Sequence, residues 1–364
     1  VLETDNLTVG GAQGTDGQVL TSTGSGVGWE DASGGATSLN GLSDCKTFGT
    51  SSLLIGDATT GTIDAADKNT GVGIDVFAAL TTGNNNVAVG FSAGTSLTTG
   101  GSNVLIGQTA GDAITTASNN IAVGQTALGA LVDDNGNVAI GDNAMQFSTD
   151  AQNNVAIGQD AGRRIVGTDN VAIGEGSMIT AGDKDNNTAV GASSLALLET
   201  GGSNTAVGKG ALASCTTGHS NASLGTDAGF GITTGVQNIS IGQGAGRTRT
   251  TGDGNVAIGE QSSYPGTTGD NNTAVGNLSM RTLTTGAGNT CVGTSAMYAI
   301  TEGGNNTTMG ASAGASITTG SNNLCLGHAS GVASQPGGAI TTGSNVIAIG
   351  DSSSANAHIQ IDWT

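Results

Sequence analysis

The residue types that carry out acid–base, nucleophilic or metal chemistry are few in this sequence. Histidine occurs three times, at His219, His328 and His358, and none lies at ligand spacing from a second metal-binding side chain. No His-Glu-x-x-His, Cys-x-x-Cys or Gly-Lys-Ser/Thr phosphate loop occurs. Because catalysis needs a converging set of titratable groups, we expect no enzymatic activity, no cofactor and no bound metal.

The four cysteines are Cys45, Cys215, Cys291 and Cys325. Cys291 and Cys325 occupy the same place in a repeated phrase, two copies apart, which predicts a separation of about 9–10 Å at the spacing of stacked strands. A disulfide needs its two Cα atoms less than ~7 Å apart. The sequence therefore predicts buried thiols that take the place of alanine, not a disulfide between these two residues.

The side chain that recurs with the strictest spacing is an asparagine. It lies four residues before a glycine in sixteen copies of the phrase, from Asn69 to Asn323, while Ser52 takes this place in the first copy and Asn345 lies one place early in the last. Stacked identical amides can hydrogen-bond from one copy to the next, and asparagine tolerates turns. This pattern predicts a structural ladder and not a repeated ligand site. Its clearest members are Asn86, Asn103, Asn120 and Asn137.

These residues belong to one phrase, a bulky apolar residue followed by glycine, which occurs eighteen times. Fifteen of the seventeen intervals between the glycines are 17 residues long, one is 16 and the last is 23. Such a strict short period is typical of stacked coils of one kind. It predicts an all-β chain, a parallel β-solenoid (β-roll or β-helix) of about eighteen 17-residue coils, roughly 85 Å long at the spacing of stacked strands. Regular examples of the glycine are Gly90, Gly107, Gly124 and Gly141.

Strand alternation assigns the residues before each glycine to two faces. With the glycine as position zero, position −1 is always bulky and apolar, so it is predicted to be buried, with position −3 on the same side but less completely buried. Ile173→Asp should then break one coil. The bulky series includes Val89, Ile106, Val123, Ile140, Ile157 and Ile173.

Position −2 is nearly always small and is predicted to face the other way. A solvated strand face would carry varied polar residues, so this row is interpreted as a subunit interface in a homotrimer; a second internal layer of the same coil is the alternative. The row includes Ala88, Ala122, Ala139, Ala156, Ala172 and Ala189.

Three further positions complete the predicted coil. Position +3 is small, as at Ala93, and position +7 is bulky and apolar, as at Leu97, which predicts a second buried stripe. Position +10 is usually a glycine after a threonine pair, as at Gly100. Both glycine positions are interpreted as corners that need a positive φ or a close approach of two backbones.

The net charge of −19, with only nine Lys and Arg residues, argues against several kinds of partner. Binding to phosphate backbones needs clustered basic residues, so we expect neither nucleic acid nor anionic lipid as a partner. No apolar run approaches membrane-spanning length, so membrane insertion is not expected. The acidity is interpreted as protection of a long β-rich surface against aggregation.

The period divides the chain into three parts. Residues 1–50 lack it and are predicted to be an adaptor or collar with short strands at Leu7–Val9, Gly17–Thr21 and Val27–Trp29. Residues 51–350 form the predicted shaft. Residues 351–364, with Trp363, are interpreted as a cap over the open coil end or as a junction to a further segment, one removed by cleavage included.

The phrases Asn137-Val-Ala-Ile-Gly141 and Asn255-Val-Ala-Ile-Gly259 resemble the repeat in the head domains of trimeric autotransporter adhesins, which are homotrimeric parallel β-rolls. Thr267-Thr-Gly-Asp-Asn-Asn-Thr-Ala-Val-Gly276 is similar to repeats of phage tail fibre proteins and related bacterial surface proteins. The resemblance covers residues 52–350. The 17-residue period is longer than the adhesin coil, so corner geometry and strand count do not carry over. Gly14–Trp29 also resembles spacer segments of marine phage structural proteins, which favours a virion fibre.

The resemblance implies a structural protein of a virion, a tail fibre-like rigid spacer for attachment to the host surface. Its expected partners are two further copies of itself, other fibre or baseplate proteins, and a host surface receptor. One alternative is an extracellular adhesin or surface-layer solenoid on a bacterial cell. Another is an ice-binding solenoid, which the threonine pairs motivate. Because aromatic residues make up only 2% of the chain, sugar stacking along the shaft is not expected.

Overall fold

The computed structural model describes residues 8–9, 12–13, 18–22, 27–31, 45–48, 51–56, 65–180, 182, 185–266, 268–332, 338–351 and 353. Over these residues the chain is all-β, and every regular element is a strand. The strands are β1 (Thr8–Val9), β2 (Ala12–Gln13), β3 (Gln18–Ser22), β4 (Val27–Asp31), β5 (Cys45–Phe48), β6 (Ser52–Gly56), β7 (Thr70–Gly73), β8 (Val87–Val89), β9 (Val104–Ile106), β10 (Ile121–Val123), β11 (Val138–Ile140), β12 (Ala151–Gln152), β13 (Val155–Ile157), β14 (Gly167–Thr168), β15 (Val171–Ile173), β16 (Thr188–Val190), β17 (Thr205–Val207), β18 (Ala222–Leu224), β19 (Ile239–Ile241), β20 (Val256–Ile258), β21 (Thr273–Val275), β22 (Thr290–Val292), β23 (Thr307–Met309), β24 (Leu324–Leu326) and β25 (Ile347–Ile349).

One parallel sheet runs through the repeat region, and it confirms the predicted β-solenoid. Each copy of the phrase contributes one strand, which pairs in register with the strands of the preceding and following copies: Val87 with Val104, and Val104 with Ile121. The pairing continues in chain order from β6 to β25, while β5 adds to β6 in the antiparallel sense. β14, in the coil that is one residue short, forms a second small parallel pair with β12 of the preceding coil.

Each coil turns at residues with a positive φ. These turns let a coil of 17 residues, only three of which form the strand, return to the start of the next strand. In the coil around Gly90, these are Asn85, Gly90, Ser92 and Gly94, with φ values of 61°, 139°, 55° and 59°. At Gly90 a Cβ atom would also collide with the carbonyl oxygen of Gly107 in the next coil. Both reasons predicted for the phrase glycine therefore act at once.

The glycine at position +10 is needed because two backbones approach closely there, and not because of a positive φ. A Cβ on Gly100 would collide with the carbonyl oxygen of Ala117 in the next coil, and no positive φ is found there. The stacked coils approach so closely at this corner that side chains are largely excluded. The predicted role of this glycine as a corner of close backbone approach is confirmed.

The core lies inside the coil, and the two faces of the strand are the reverse of the prediction. The small residue at position −2 points inward and is fully buried within a single chain, so it cannot form a subunit interface. The row of Ala88, Ala122, Ala139, Ala156, Ala172 and Ala189 is 0% exposed throughout. The alternative interpretation of this row, as an internal layer of its own coil, is the one that the structure shows.

The bulky residues at positions −1 and −3 share one face, as predicted, but this face points outward. Ile106 and Ile140 are 37% and 38% exposed, whereas Val89, Val123, Ile157 and Ile173 are half-buried. The physical reason is the small cross-section of the coil. The interior already holds the bulky +7 residue, such as Leu97, and the +4 residue, such as Met145, so a small side chain is all that fits at −2.

This explanation is supported by a strand in which a large residue at position −2 occurs together with glycine at position +4. In one strand position −2 is Leu105, which is fully buried. Position +4 is then glycine in that coil and in the preceding one, and a Cβ on either Gly94 or Gly111 would lie 2.7 Å from a methyl group of Leu105. Where +4 is Leu128 or Met145, position −2 is alanine. In the coils around Leu105, a larger residue at −2 is therefore matched by the absence of a side chain at +4, as close packing requires.

Before the solenoid, β1 pairs with β2 and β3 with β4, both antiparallel. Strands β1, β3 and β4 overlap the three short strands that were predicted, whereas β2 was not predicted. The predicted cap at 351–364, Trp363 included, lies outside the described residues except for residues 351 and 353.

Candidate functional site

No constellation for catalysis comes together in the described part of the chain. Over these residues no group of three or more His, Cys, Asp and Glu side chains could hold a metal ion. Nδ1 of His219 lies 3.3 Å from the hydroxyl of the neighbouring Ser220, and Nδ1 of His328 lies 3.3 Å from an Asp351 carboxylate oxygen at the surface. Among the same residues, no helix has the length and apolarity to cross a membrane.

The asparagine ladder is present along the shaft. The backbone N–H of Asn86 donates to Oδ1 of Asn69 at 2.9 Å, and its Nδ2 donates to the same oxygen at 3.0 Å. Nδ2 also donates to the carbonyl oxygen of Gly100 at 3.0 Å. The pattern repeats up to Asn323, whose Oδ1 accepts from the N–H of Val346. Because these buried amides are used by neighbouring coils, they stabilise the stack and are not a ligand site.

The first threonine of each pair before the +10 glycine also forms a hydrogen bond between coils. The hydroxyl of Thr98 donates to the carbonyl oxygen of Thr115 at 3.0 Å, and that of Thr233 donates to Thr250 at 3.0 Å. These hydroxyls cap carbonyl groups of the next coil instead of pointing as free donors into solvent. These threonines therefore help to hold neighbouring coils together.

The thiols behave as predicted. Cys215, Cys291 and Cys325 are free and fully buried, the last two in the inward-pointing −2 row. Burial raises the pKa of Cys215 to about 11 and that of Cys291 to about 12. Burial also raises the pKa of Cys325. These thiols are un-ionised at neutral pH and are therefore poor nucleophiles.

The most extensive candidate surface is the outer face, which we define as the side chains at positions −3 and −1 of strands β6–β25. It is apolar on almost every strand, with threonine at −3 in several of the later copies. Leu224 is 51%, Met309 57% and Ile349 50% exposed. Monomeric proteins rarely expose apolar patches beyond ~300–600 Å², so this continuous stripe over eighteen strands is a candidate interaction surface.

A second candidate site is built by position +5, which sequence reasoning missed. In five successive copies this position is Phe230, Arg247, Tyr264, Arg281 and Tyr298, and the copies on either side have Ala213 and Ala315 there. Strict stacking of the coils places these side chains one above another. We call them the arginine–aromatic column. The alternation could have been found by aligning the copies, because no other part of the chain has it.

The column is held together by contacts between adjacent coils. The guanidinium carbon of Arg247 lies 5.5 Å from the ring centroid of Phe230, and that of Arg281 lies 4.4 Å from the ring centroid of Tyr264, which are cation–π distances. Nη1 of Arg281 donates to the carbonyl oxygen of Tyr264 at 2.9 Å. Nε of Arg247 lies 3.5 Å from an Asp227 carboxylate oxygen. Beside the column is a cavity of about 230 Å³, lined by Asp227, Gln243, Gly244, Arg247, Gln261, Tyr264 and Arg281.

Beneath the column, an arginine replaces the bulky apolar residue of the core. Arg249 occupies position +7 and is 1% exposed, and the same position in the next coil is Gly266, which leaves room for the longer side chain. Nη2 of Arg249 donates to the hydroxyl of Ser263 at 2.7 Å. Burial lowers the pKa of Arg249 to about 10, opposed by the charge of Asp270. The guanidinium is therefore protonated at neutral pH, and the core carries a positive charge here.

A smaller arginine–aromatic cluster lies further towards the N-terminus. The guanidinium carbons of Arg163 and Arg164 lie 5.0 and 5.7 Å from the ring centroid of Phe147. Here Nε of Arg163 lies 3.6 Å from a carboxylate oxygen of Asp160 and donates to Oε1 of Gln146 at 3.1 Å. A single ring serves both cations, so this cluster lacks the alternation of the column.

In comparisons with protein-family models, with curated proteins and with solved structures, nothing matches this chain. The class that the fold defines is a parallel β-solenoid repeat protein.

Proposed function

We propose that this chain is a structural fibre protein of a virion, similar to a tail fibre, which serves as a rigid spacer in attachment to the host surface. It assembles as a homotrimer and has no catalytic activity. The observation that carries the proposal is the outer face, an apolar stripe that a single chain leaves half exposed along its whole array. Its further partners are other fibre or baseplate proteins and a host receptor.

The size of the outer face fits an interface between copies of this chain. The array is roughly 85 Å long, and a three-residue strand is about 10 Å wide, so each chain offers roughly 850 Å². A stable specific interface covers about 800 Å² on each partner. Because the stripe is narrow, three chains can meet along one axis with their stripes turned inward. Removal of its Val, Ile, Leu and Met side chains from water is the driving force.

The stacking of the coils supports a role as a stiff rod. The backbone N–H and carbonyl groups bond from coil to coil along the sheet, as from Val87 to Asn103 at 2.8 Å and from Gly90 to Val72 at 2.9 Å. The buried amide ladder follows the same direction. Bending the rod would lengthen many of these bonds together, and local opening would strand buried amides. Such a rod holds a binding site at a fixed distance from its base.

A cellular adhesin or surface-layer solenoid is the second candidate, because the same rod and the same outer face would serve it equally. The location of the parent protein discriminates between the two. A secretion signal and a membrane anchor in the complete gene would favour the cell surface, whereas a place among virion structural genes would favour the fibre. The ice-binding alternative loses part of its support, because the first threonine of each pair is bonded between coils. The second threonine is exposed, but Asp133 and Glu302 take its place in other copies and interrupt the row.

The solution mass of the purified chain, by light scattering or native mass spectrometry, tests the assembly. A trimer of three 35.0 kDa chains has a mass of about 105 kDa, and negative-stain images should then show rods. A stable monomer would overturn the trimeric fibre. A dimer would retain the outer face as an interface and correct the number of chains.

A further inference from the structure

We propose that the arginine–aromatic column binds an oligosaccharide that carries carboxylate groups. The proposal goes beyond the fibre, since it gives the shaft its own ligand; only the biological role as a receptor site depends on the proposed function. It also reverses the expectation that the shaft does not bind sugars. Although aromatic residues are scarce in the whole chain, the fold stacks three of them in one column.

Local charge is the first argument. In a chain of net charge −19, three of the five arginines fall between residues 247 and 281. Asp227 compensates Arg247, and the charge of Asp270 opposes that of the buried Arg249, but Arg281 makes no ion pair with any described residue. The free side of the Arg281 guanidinium therefore attracts an anion, which the acidic surface of most of the chain repels.

Pre-organisation is the second argument. Stacking on Tyr264 and the bond to its carbonyl oxygen fix the guanidinium plane of Arg281. One of its five N–H donors is used in that bond, so the others can take a carboxylate in the two-bond geometry that arginine favours. Since the side chain is already ordered, little rotamer entropy is lost on binding.

The hydrogen-bonding groups around the cavity fit a sugar better than a simple anion. The amides of Gln243 and Gln261 and the carboxylate of Asp227 line the cavity and can exchange hydrogen bonds with ring hydroxyls. The ring of Tyr298, at the end of the column, is 42% exposed and offers an apolar plane to the C–H face of a pyranose. Arginines two coils apart are about 9–10 Å apart at the strand spacing. An oligomer, not a monosaccharide, can therefore reach both.

Calorimetric titration of the full chain at 0.15 M salt tests the proposal. The acidic probes are oligogalacturonate and oligosialic acid, and the matched neutral probe is the methyl ester of oligogalacturonate. We expect at least one acidic probe to bind and the ester to bind at least tenfold more weakly. If neither acidic probe binds, or if the ester or dextran sulfate binds as well as the acidic probes, the proposal is wrong.

Variants place the binding on the column. Arg281→Gln should weaken binding at least tenfold, and Tyr298→Ala, which leaves every arginine in place, should weaken it several-fold. Lys209→Gln removes the same single charge from an exposed position outside the column and should leave binding unchanged. Equal losses in Arg281→Gln and Lys209→Gln would overturn the site. A thermal melt of each variant checks that the fold is retained.

The outcomes also separate this proposal from the fibre. A trimer that binds no acidic oligosaccharide would refute the column alone. A monomer that binds one would refute the trimer alone.

Discussion

Ala172 and Ile173 are neighbours in strand β15, yet they lie in opposite environments. Ala172 faces the inside of the coil and is completely buried, while the larger Ile173 faces outward and is half exposed. The inward-pointing −2 row and the outer face therefore reverse the usual order of large residues inside and small residues outside. The difference shows that burial in a narrow coil is decided by the space available and not by the hydrophobicity of the residue.

The largest expected effect comes from a charge on the inner side of this strand. Ala172→Asp places a carboxylate where no partner is available, and an uncompensated buried charge costs about 3–5 kcal/mol of unfolding free energy. Denaturant unfolding of the variant measures this loss. Ala172→Ser is the matched control, because serine occupies the same row at Ser223 and Ser240. Equal stability of the Asp variant and the parent would mean that the two faces are wrongly assigned.

The same charge on the outer side should act on assembly. Ile173→Asp leaves the carboxylate in contact with water in a single chain, so the coil is expected to persist, contrary to the expectation from the sequence that it would break. In the proposed trimer the charge would be buried, and the mass should fall towards 35.0 kDa. Circular dichroism and light scattering on one sample separate the two effects. Ile173→Val, a residue found at other −1 positions, should remain trimeric.

A smaller effect is expected from breaking the amide ladder. Asn204→Ala removes the oxygen that accepts from both nitrogens of Asn221 and the nitrogen that donates to Gly218. A stranded buried group costs about 1–3 kcal/mol, so we expect a loss of about 3 kcal/mol in denaturant unfolding. Asn277→Ala, at an asparagine whose hydrogen bonds are exposed, should change the unfolding free energy by less than about 0.5 kcal/mol. Similar losses in both variants would contradict a special role for the ladder.

Arg249 is a charged residue inside the coil, where position +7 is otherwise mostly apolar. Its replacement tests whether the interior of the coil favours apolar side chains. Arg249→Leu restores the residue type of the regular coils and removes a buried charge. Replacing buried ion pairs by apolar residues is often neutral or stabilising by about 1–4 kcal/mol. Arg249 feels the charge of Asp270 but forms no ion pair with any described residue, so we expect a gain near the lower end, about 1 kcal/mol. Thermal unfolding should show the gain. A marked loss of stability would mean that the guanidinium, through Ser263 and its other contacts, holds the coil together.

The smallest effect concerns the buried thiols. In a Cys45→Ser background, Cys215, Cys291 and Cys325 should not react with a disulfide reagent at pH 8. Their raised pKa values keep them un-ionised there, and the coil covers them. All three should react after unfolding in denaturant. The stability that un-ionised burial provides is present below pH ~9 and is lost as the pH rises towards the folded-state pKa values of about 11 and 12. Rapid reaction of the native protein would show that the coils open.

Much of the coil could be predicted because the repeat imposes it. A 17-residue period with glycine at two places and asparagine at a third requires stacked coils, corners and an amide ladder, and Gly90, Gly100 and Asn86 occupy those roles. The direction of the strand faces could not be obtained from alternation, which separates Ala88 from Val89 but does not say which of them is inside. The exchange between Leu105 and Gly94 was a signal in the sequence that pointed to the correct face.

The candidate sites show the same division. The sequence contained every member of the column, but residues such as Arg247, Tyr264 and Arg281 look unrelated along the chain, and only the in-register stacking of the coils puts them at one spacing.

What the sequence determined by itself is the periodic part of this protein, because each copy carries the same backbone requirements and the same hydrogen-bonding side chain. What only the tertiary structure decided is the orientation of each surface. The volume enclosed by a coil settles which side chains fit inside, and that volume is a property of the closed coil and not of any residue in it. The half-exposed outer face and the stacked arginines follow from that closure.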